Sequence, residues 1–129
     1  MIATVWLVED DVSVSESLGF LLKALDYQVV DFVDLTDFED ATAGARPLRG
    51  CLLLDVPLPD INGQNWLAEH TQRHPLLPVI IMADHDTPEE YRHDAFAFFI
   101  KPLDMEPLLA SIKQAVEESA RRVERWHSG

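Results

Sequence analysis

The sequence predicts an α/β protein built on a five-stranded parallel sheet with helices on both faces. Three observations carry that expectation. Short apolar runs alternate with stretches of helical periodicity along the whole chain. Two of the runs, Thr4-Val5-Trp6-Leu7-Val8 and Cys51-Leu52-Leu53-Leu54, are nearly continuous in apolar residues, as strands buried on both faces are. Both runs then deliver acids, Glu9-Asp10-Asp11 and Asp55, at the strand carboxyl ends, where open parallel sheets gather their chemistry.

The elements follow in order. After the first strand, Ser13 and Glu16 have the spacing of a capping box. They open a helix whose buried stripe is Val14, Leu18, Leu21, Leu22 and Leu25. Gln28–Phe32 reads as the second strand. Thr36 and Glu39 form a second box, opening a helix that runs to about Gly44. The third strand ends at Asp55, because Pro57 and Pro59 cannot donate to a ladder, and Asp60-Ile61-Asn62-Gly63 makes the turn. Asn65 to His74 is the third helix, stopped by Pro75. Pro78–Met82 is the fourth strand. Thr87, Pro88 and Glu90 give a cap, a first-turn proline and a box acid for a fourth helix. That helix is short, since Ala97–Ile100 already reads as the fifth strand. Asp104 caps the last helix, whose stripe is Leu108, Ile112, Val116, Ala120 and Val123.

Composition narrows the function classes. The 129 residues are enough for one domain with a real core. A formal net charge of −13 argues against nucleic-acid contact by this segment, because phosphate binding needs a basic patch. No apolar run reaches the length of a membrane span. The N-terminus lacks the basic region of a signal peptide, so a cytoplasmic location is expected. The single cysteine, Cys51, cannot pair within the chain and reads as a small core residue. Trp66 reads as core and Phe96 as exposed. His70, His74, His85 and His93 are scattered, without a ligand spacing that suits this fold. The tail Arg121–Trp126 turns basic and amphipathic, as the solvated end of a helix or as a connector to a partner or output domain.

With the second strand at one edge, the first, third and fourth strands are neighbours, and three polar strand ends converge. They carry Glu9 and Asp10, then Asp55, then Lys101-Pro102. Clustered carboxylates repel one another unless a cation offsets them. An oxygen-only donor set with room for water suits Mg²⁺. Lys101 adds a point charge for an oxyanion. A carboxylate nucleophile, a divalent ion and a lysine are the parts needed to accept a phosphoryl group.

On Val8-Glu9-Asp10-Asp11, Leu54-Asp55 with Pro59 and Gly63, Pro78-Val79-Ile80-Ile81 and Lys101-Pro102, the chain resembles the receiver domain of bacterial two-component response regulators. The local style is similar to receivers that precede helix-turn-helix output domains. The resemblance runs from Thr4 to about Val123. It implies a flavodoxin-like sheet of strand order 2-1-3-4-5, here with a shortened fourth helix. It implies a receiver domain over residues 1–125 and a tail at 126–129 where a linker would start. Asp55 becomes the phosphoacceptor. Asp10 becomes a direct Mg²⁺ ligand, Glu9 a ligand through water, and the backbone carbonyl of Pro57 completes the metal site together with Asp55. Lys101 pairs with phosphoryl oxygens, and Phe98 is the aromatic switch. The implied partners are a sensor histidine kinase, an output domain or downstream protein acting in transcription regulation, and a second copy docking through the fourth helix and fifth strand. Neither a nucleic acid nor a membrane is expected as a partner of this segment.

The chain departs from the family pattern at Ala83, which stands where a Ser or Thr normally bonds the phosphoryl group. Alanine has no donor, and one hydrogen bond to a charged group is worth about 1.5–3 kcal/mol. Asp84 adds a negative charge beside it. Three functions are therefore weighed. The first is a phosphoacceptor signalling domain that assists only its own phosphorylation and hydrolysis, and is not an enzyme. The second is an atypical receiver acting as a phosphorylation-independent interaction module. The third is a small Mg²⁺-dependent phosphatase, which the lack of a second acid two residues after Asp55, where Pro57 stands, disfavours.

Overall fold

Strands that are apolar at every position must be covered on both sides, and the structure satisfies this with one central sheet. The computed structural model describes residues 2–44, 47–55, 63–83 and 95–128. The strands are β1 (Thr4–Glu9), β2 (Gln28–Phe32), β3 (Cys51–Asp55), β4 (Val79–Ala83) and β5 (Ala97–Ile100). The helices described are α1 (Val12–Ala24), α2 (Leu35–Thr42), α3 (Gly63–Arg73) and α4 (Met105–Ser128). All pairings are parallel, in the order β2-β1-β3-β4-β5 that the resemblance implies. The expected helix start at Thr87, Pro88 and Glu90 lies outside the described residues, as do Pro57, Pro59, the turn at 60–62, Asp84, His85 and His93.

Side-chain alternation along β3 divides the core. Leu52 and Leu54 join Val8, Phe38, Trp66 and Leu67 on one face, while Leu53 joins Leu7, Leu22, Leu108 and Ile112 on the other. Cys51, β3 and β4 are fully buried. The outer strands β2 and β5 are only half-buried, as edges are. Among the described residues, no helix is long and apolar enough to cross a membrane.

The helix caps differ from the sequence reading. Asp11, not Ser13, caps α1: its Oδ1 accepts from the N–H groups of Ser13 at 2.9 Å and Val14 at 3.3 Å. Asp34, not Thr36, caps α2 by accepting from Asp37 N–H at 2.8 Å. In each case the acid stands at the extended residue just before the helix, which has the backbone geometry of a cap. Glu39 is thereby free for another task, accepting from the Trp66 indole N–H and pairing with Arg73. The α1 stripe is narrower than expected. Leu18 and Leu22 are buried, but Val14 and Leu25 are exposed at the ends of the helix. On α4 the buried line runs Leu108, Ile112, Ala115 and Ser119, while Ala120 is exposed. Phe96 is exposed, as expected.

Ser119 is buried because it solves a local problem. Its hydroxyl donates to the Leu76 carbonyl at 2.6 Å and accepts from Gly50 N–H at 2.8 Å. It thus satisfies two loop backbone groups beneath the sheet. Gly50 has φ +116°, and a Cβ there would run into the Thr4 carbonyl. The tail arginines are largely spent within α4. Arg121, Arg122 and Arg125 converge on Glu118, whose carboxyl the Arg122 contact first of all holds down at about 2. Arg122 also donates to the Pro75 carbonyl at 3.2 Å.

Beside β3, α3 buries a histidine. His70 stacks on Trp66 with ring centroids 5.2 Å apart and is 1% exposed. Burial, reinforced by His74 and Arg73, pushes its imidazole down to about 3. The unfolded chain therefore binds a proton near pH 6.5 that the folded chain refuses. This contribution to stability is complete above pH 6.5 and is lost as pH falls toward 3, at up to about 1.4 kcal/mol per unit. Urea denaturation of metal-free protein at pH 7 and pH 5 should show wild type losing about 2 kcal/mol more than His70→Leu. Equal losses in the two proteins would show that His70 protonates freely in the fold.

Candidate functional site

The β1–β3 register sets Glu9 directly beside Asp55 at the carboxyl end of the sheet. The three acids after β1 then divide their roles. Glu9 is the last strand residue and turns inward, at 4% exposure. Its Oε1 accepts from the Asp11 N–H at 2.9 Å. Asp11 spends its own carboxylate on the α1 cap. Asp10, between them, is exposed.

Asp55 is 6% exposed, and Lys101 reaches it from just beyond β5, with Nζ 2.5 Å from Oδ1. The Lys101 N–H donates to the Ala83 carbonyl at 2.8 Å, fixing the lysine backbone to the end of β4. The Lys101–Pro102 peptide is cis. Ala83 is 7% exposed and ends β4 beside Ile100. Phe98 pairs with Ile81 and packs, half-buried, against the core face that holds Trp66. The structure thus brings together Glu9, Asp55, Lys101 and the end of β4. Pro57, Asp84 and His85 are outside the described residues.

Electrostatically the site is short of positive charge. Burial, then the adjacent Asp55 carboxyl, push Glu9 up to about 8, with the Asp11 N–H and Lys101 pulling the other way. Glu9 Oε2 is buried with no hydrogen-bond partner among the described residues. Two carboxyls on adjacent strands, one with an unpartnered buried oxygen, form a hard oxygen donor set that fits a small divalent cation. Among the described residues no group of three His, Cys, Asp or Glu side chains is placed to hold a metal, so water and backbone oxygens would complete such a shell.

Two openings flank the carboxylates. A cleft of about 590 Å³ between α1, β2 and α2 is lined by Glu9 and by Glu16, Asp31, Asp37 and Asp40. A cavity of about 380 Å³ reaches Asp55 past Val14, Ser17, Leu21, Met82, Leu103 and Met105. The sequence reading missed both walls. It treated Val14 and Leu21 as core stripe, although Val14, in the first turn of α1, overhangs the strand ends, and that position was the available signal.

An open parallel sheet with buried acids at neighbouring strand ends and a lysine closing on one of them defines a doubly wound protein with an acidic site at the carboxyl end of its sheet. Residues 5–113 match the response regulator receiver domain family, and the chain belongs to that family. It is 32% identical over 116 residues to the DNA-binding transcriptional regulator NtrC of Escherichia coli K12, a match covering 87% of this chain and 24% of NtrC. It is 34% identical over 122 residues to the transcriptional regulatory protein FixJ of Azorhizobium caulinodans, covering 92% of this chain and 57% of FixJ. The solved structure of response regulator StyR superposes with a TM-score of 0.82 at 29% identity, covering 99% of this chain and 66% of that one. The chain therefore spans a quarter to just over half of these two regulators' length.

Removing the lysine should expose the repulsion it offsets. Lys101→Met leaves a 7% exposed Asp55 side chain beside Glu9 without this cation. Breaking a buried pair costs about 3–5 kcal/mol, but Lys101 is itself 40% exposed and partly screened. Denaturation in metal-free buffer should register a loss of about 1–2 kcal/mol. A variant as stable as wild type would show that the pair carries no net stabilisation.

Proposed function

We propose that this receiver accepts a phosphoryl group on Asp55 from a sensor histidine kinase, with Mg²⁺ as cofactor, and passes the signal to an output domain or downstream protein that regulates transcription. The observation that carries this reading is Lys101 closing on Asp55 while Asp55 sits in register with Glu9. An Asp55 oxygen attacks phosphorus, the phosphorus–nitrogen bond to the kinase histidine breaks, and its electron pair returns to the imidazole. Asp10 and Asp55 would hold the cation directly and Glu9 through water, with the backbone carbonyl of Pro57, which lies outside the described residues, as the further ligand that the family resemblance implies. When bound, Mg²⁺ supplies charge neutralisation for the carboxylates and the incoming phosphoryl oxygens. Lys101 Nζ moves from the free carboxylate to the acquired phosphoryl group, and its backbone bond to Ala83 keeps it within reach.

The relatives support this placing: those above are named as DNA-binding or transcriptional regulators. A cytoplasmic setting is part of this reading, and relatives that regulate transcription support it. Residues 1–125 are the receiver and 126–129 the start of a connection, with α4 continuing to Ser128. A second copy docks through β5 and the segment before it, where Phe96 and Ile100 are exposed. The receiver is a signalling domain. The phosphorylation-independent module rests on Ala83, Asp84 and the shortened fourth helix, of which only Ala83 lies among the described residues, and a phosphatase still lacks its second acid.

Intact mass after treatment with a small phosphodonor and Mg²⁺ should show one phosphoryl adduct, absent from Asp55→Asn. An adduct that persists in the variant would sink the assignment. The Asp10→Ala variant should be labelled much more slowly at the same Mg²⁺ concentration.

Ala83 sets the second expectation. The missing hydroxyl contact is worth about 1.5–3 kcal/mol, the size of a typical allosteric coupling energy of about 1–3 kcal/mol. Beryllofluoride, a phosphoryl mimic, should therefore shift the amide resonances around Phe98 only slightly in wild type and more in Ala83→Thr. A full shift accompanied by dimerisation in wild type would show that the alanine is immaterial.

A further inference from the structure

Away from the carboxylates, the sharpest chemical anomaly is on α3. Among the described residues, the buried side-chain nitrogens and oxygens without a hydrogen bond are Glu9 Oε2, His70 Nε2 and His74 Nδ1. His70 is on α3 and His74 directly follows its last residue, Arg73; the His74 N–H donates to the His70 carbonyl at 2.8 Å, so the helical turn carries through and the two side chains share a face. Their ring centroids are 5.3 Å apart. Both histidines line a cavity of about 380 Å³ between α2 and α3, together with Glu39, Thr42 and Arg73.

We propose that His70 and His74 form a two-imidazole site for a borderline divalent transition metal such as Zn²⁺, opening into the cavity between α2 and α3. The spacing is that of paired helical histidines that bind zinc from one helix face. A metal about 2.0–2.1 Å from one nitrogen of each ring holds the centroids at most about 6.4 Å apart, and the observed separation falls within that limit. A backbone hydrogen bond with Leu77 holds the His70 imidazole, and Nε2 is left without a partner. Both rings are disposed to stay neutral, since burial lowers the proton affinity of each. Neutral imidazole is the form that ligates. Trp66 stacked on His70 and Phe38 beside both rings fix their planes. The Arg73 guanidinium nearby is unfavourable to a cation, and Glu39 offsets it at 3.6 Å. No third protein ligand is in place among the described residues, so water from the cavity fills the remaining positions.

The donor set separates this site from the carboxylates. Imidazole nitrogens suit zinc, copper and nickel, whereas Mg²⁺ prefers oxygen. The test is titration of the full chain with ZnCl₂ in the presence of excess MgCl₂, read by calorimetry and by long-range ¹⁵N–¹H spectra of the imidazoles. One equivalent should bind, shifting His70 Nε2 and His74 Nδ1. His74→Ala, at a half-buried position, should weaken binding at least tenfold, whereas Asp10→Ala should leave it unchanged. The spectra of wild type need no variant, so a poorly folded His70 substitution does not blunt the experiment. Absence of stoichiometric binding, unshifted nitrogens on His70 and His74, or loss of binding in Asp10→Ala would each overturn the proposal.

Discussion

Two carboxyls stand side by side where water is scarce, and much of the molecule is arranged around that constraint. Glu9 and Asp55 are neighbours because β1 and β3 pair in a single register, from Val5 with Cys51 up to Glu9 with Asp55. Their proximity is unfavourable in itself, and Glu9 answers by holding its proton far above the normal range. Lys101 offsets the second charge from the opposite side. What keeps the acids in place is the apolar length of the strands beneath them. Sliding β1 by one residue against β3 would turn Leu7 and Val8 out of their layers on both faces at once. The register that fills the core is therefore the register that presses the carboxyls together, and function is carried as a local cost against a large apolar gain.

The same logic explains how three consecutive acids come to have three fates. Residues in an extended strand alternate in direction, and the chain leaves β1 to enter α1 within two residues. Glu9 is the last residue under strand control and points into the sheet end. Asp11 has the extended backbone of a cap and turns its carboxylate onto the first helical N–H groups. Asp10 lies between the two and faces solvent, where a strongly hydrated ion can be met without first being stripped.

Much of this was legible in the sequence. The central strands follow from their apolar runs, because burial on both faces leaves little freedom in composition, and the alternation of strands with helical stretches implies the parallel arrangement that also takes in the half-buried edges β2 and β5. Asp55, Glu9 and Lys101 could be placed together because each ends a strand. The caps were misread for a definite reason. Ser13 and Thr36 satisfy the spacing of a box, but the pattern cannot tell which residue holds the extended backbone, and an acid stood closer to the true start in both helices. The histidine pair was invisible for a different reason. His70 and His74 are plainly four apart, yet only packing beneath Trp66 and Phe38 strips them of water and partners. Burial of a polar ring is a tertiary fact. On a helix with a modest apolar stripe, the sequence presents those rings as ordinary surface.

Ala83 shows what a backbone can and cannot replace. The residue still accepts from Lys101 N–H, so the end of β4 remains tied to the lysine that meets Asp55. That tie is a ladder bond between paired strands, and it has one arrangement. It can position Lys101 but cannot report whether Asp55 carries a ligand, since a coupling device needs two states that the ligand distinguishes. A hydroxyl at this position would supply the second state, because it can turn toward an oxyanion when one is present and away when none is. A methyl group has no such donor, so what ties this position to Lys101 is the fixed backbone bond. Phe98 lies on the strand that leads into Lys101 and packs against the core face that holds Trp66. The alanine thus leaves the end of β4 tied to Lys101 and Lys101 paired with Asp55, while taking away a side-chain group that could tell two states apart.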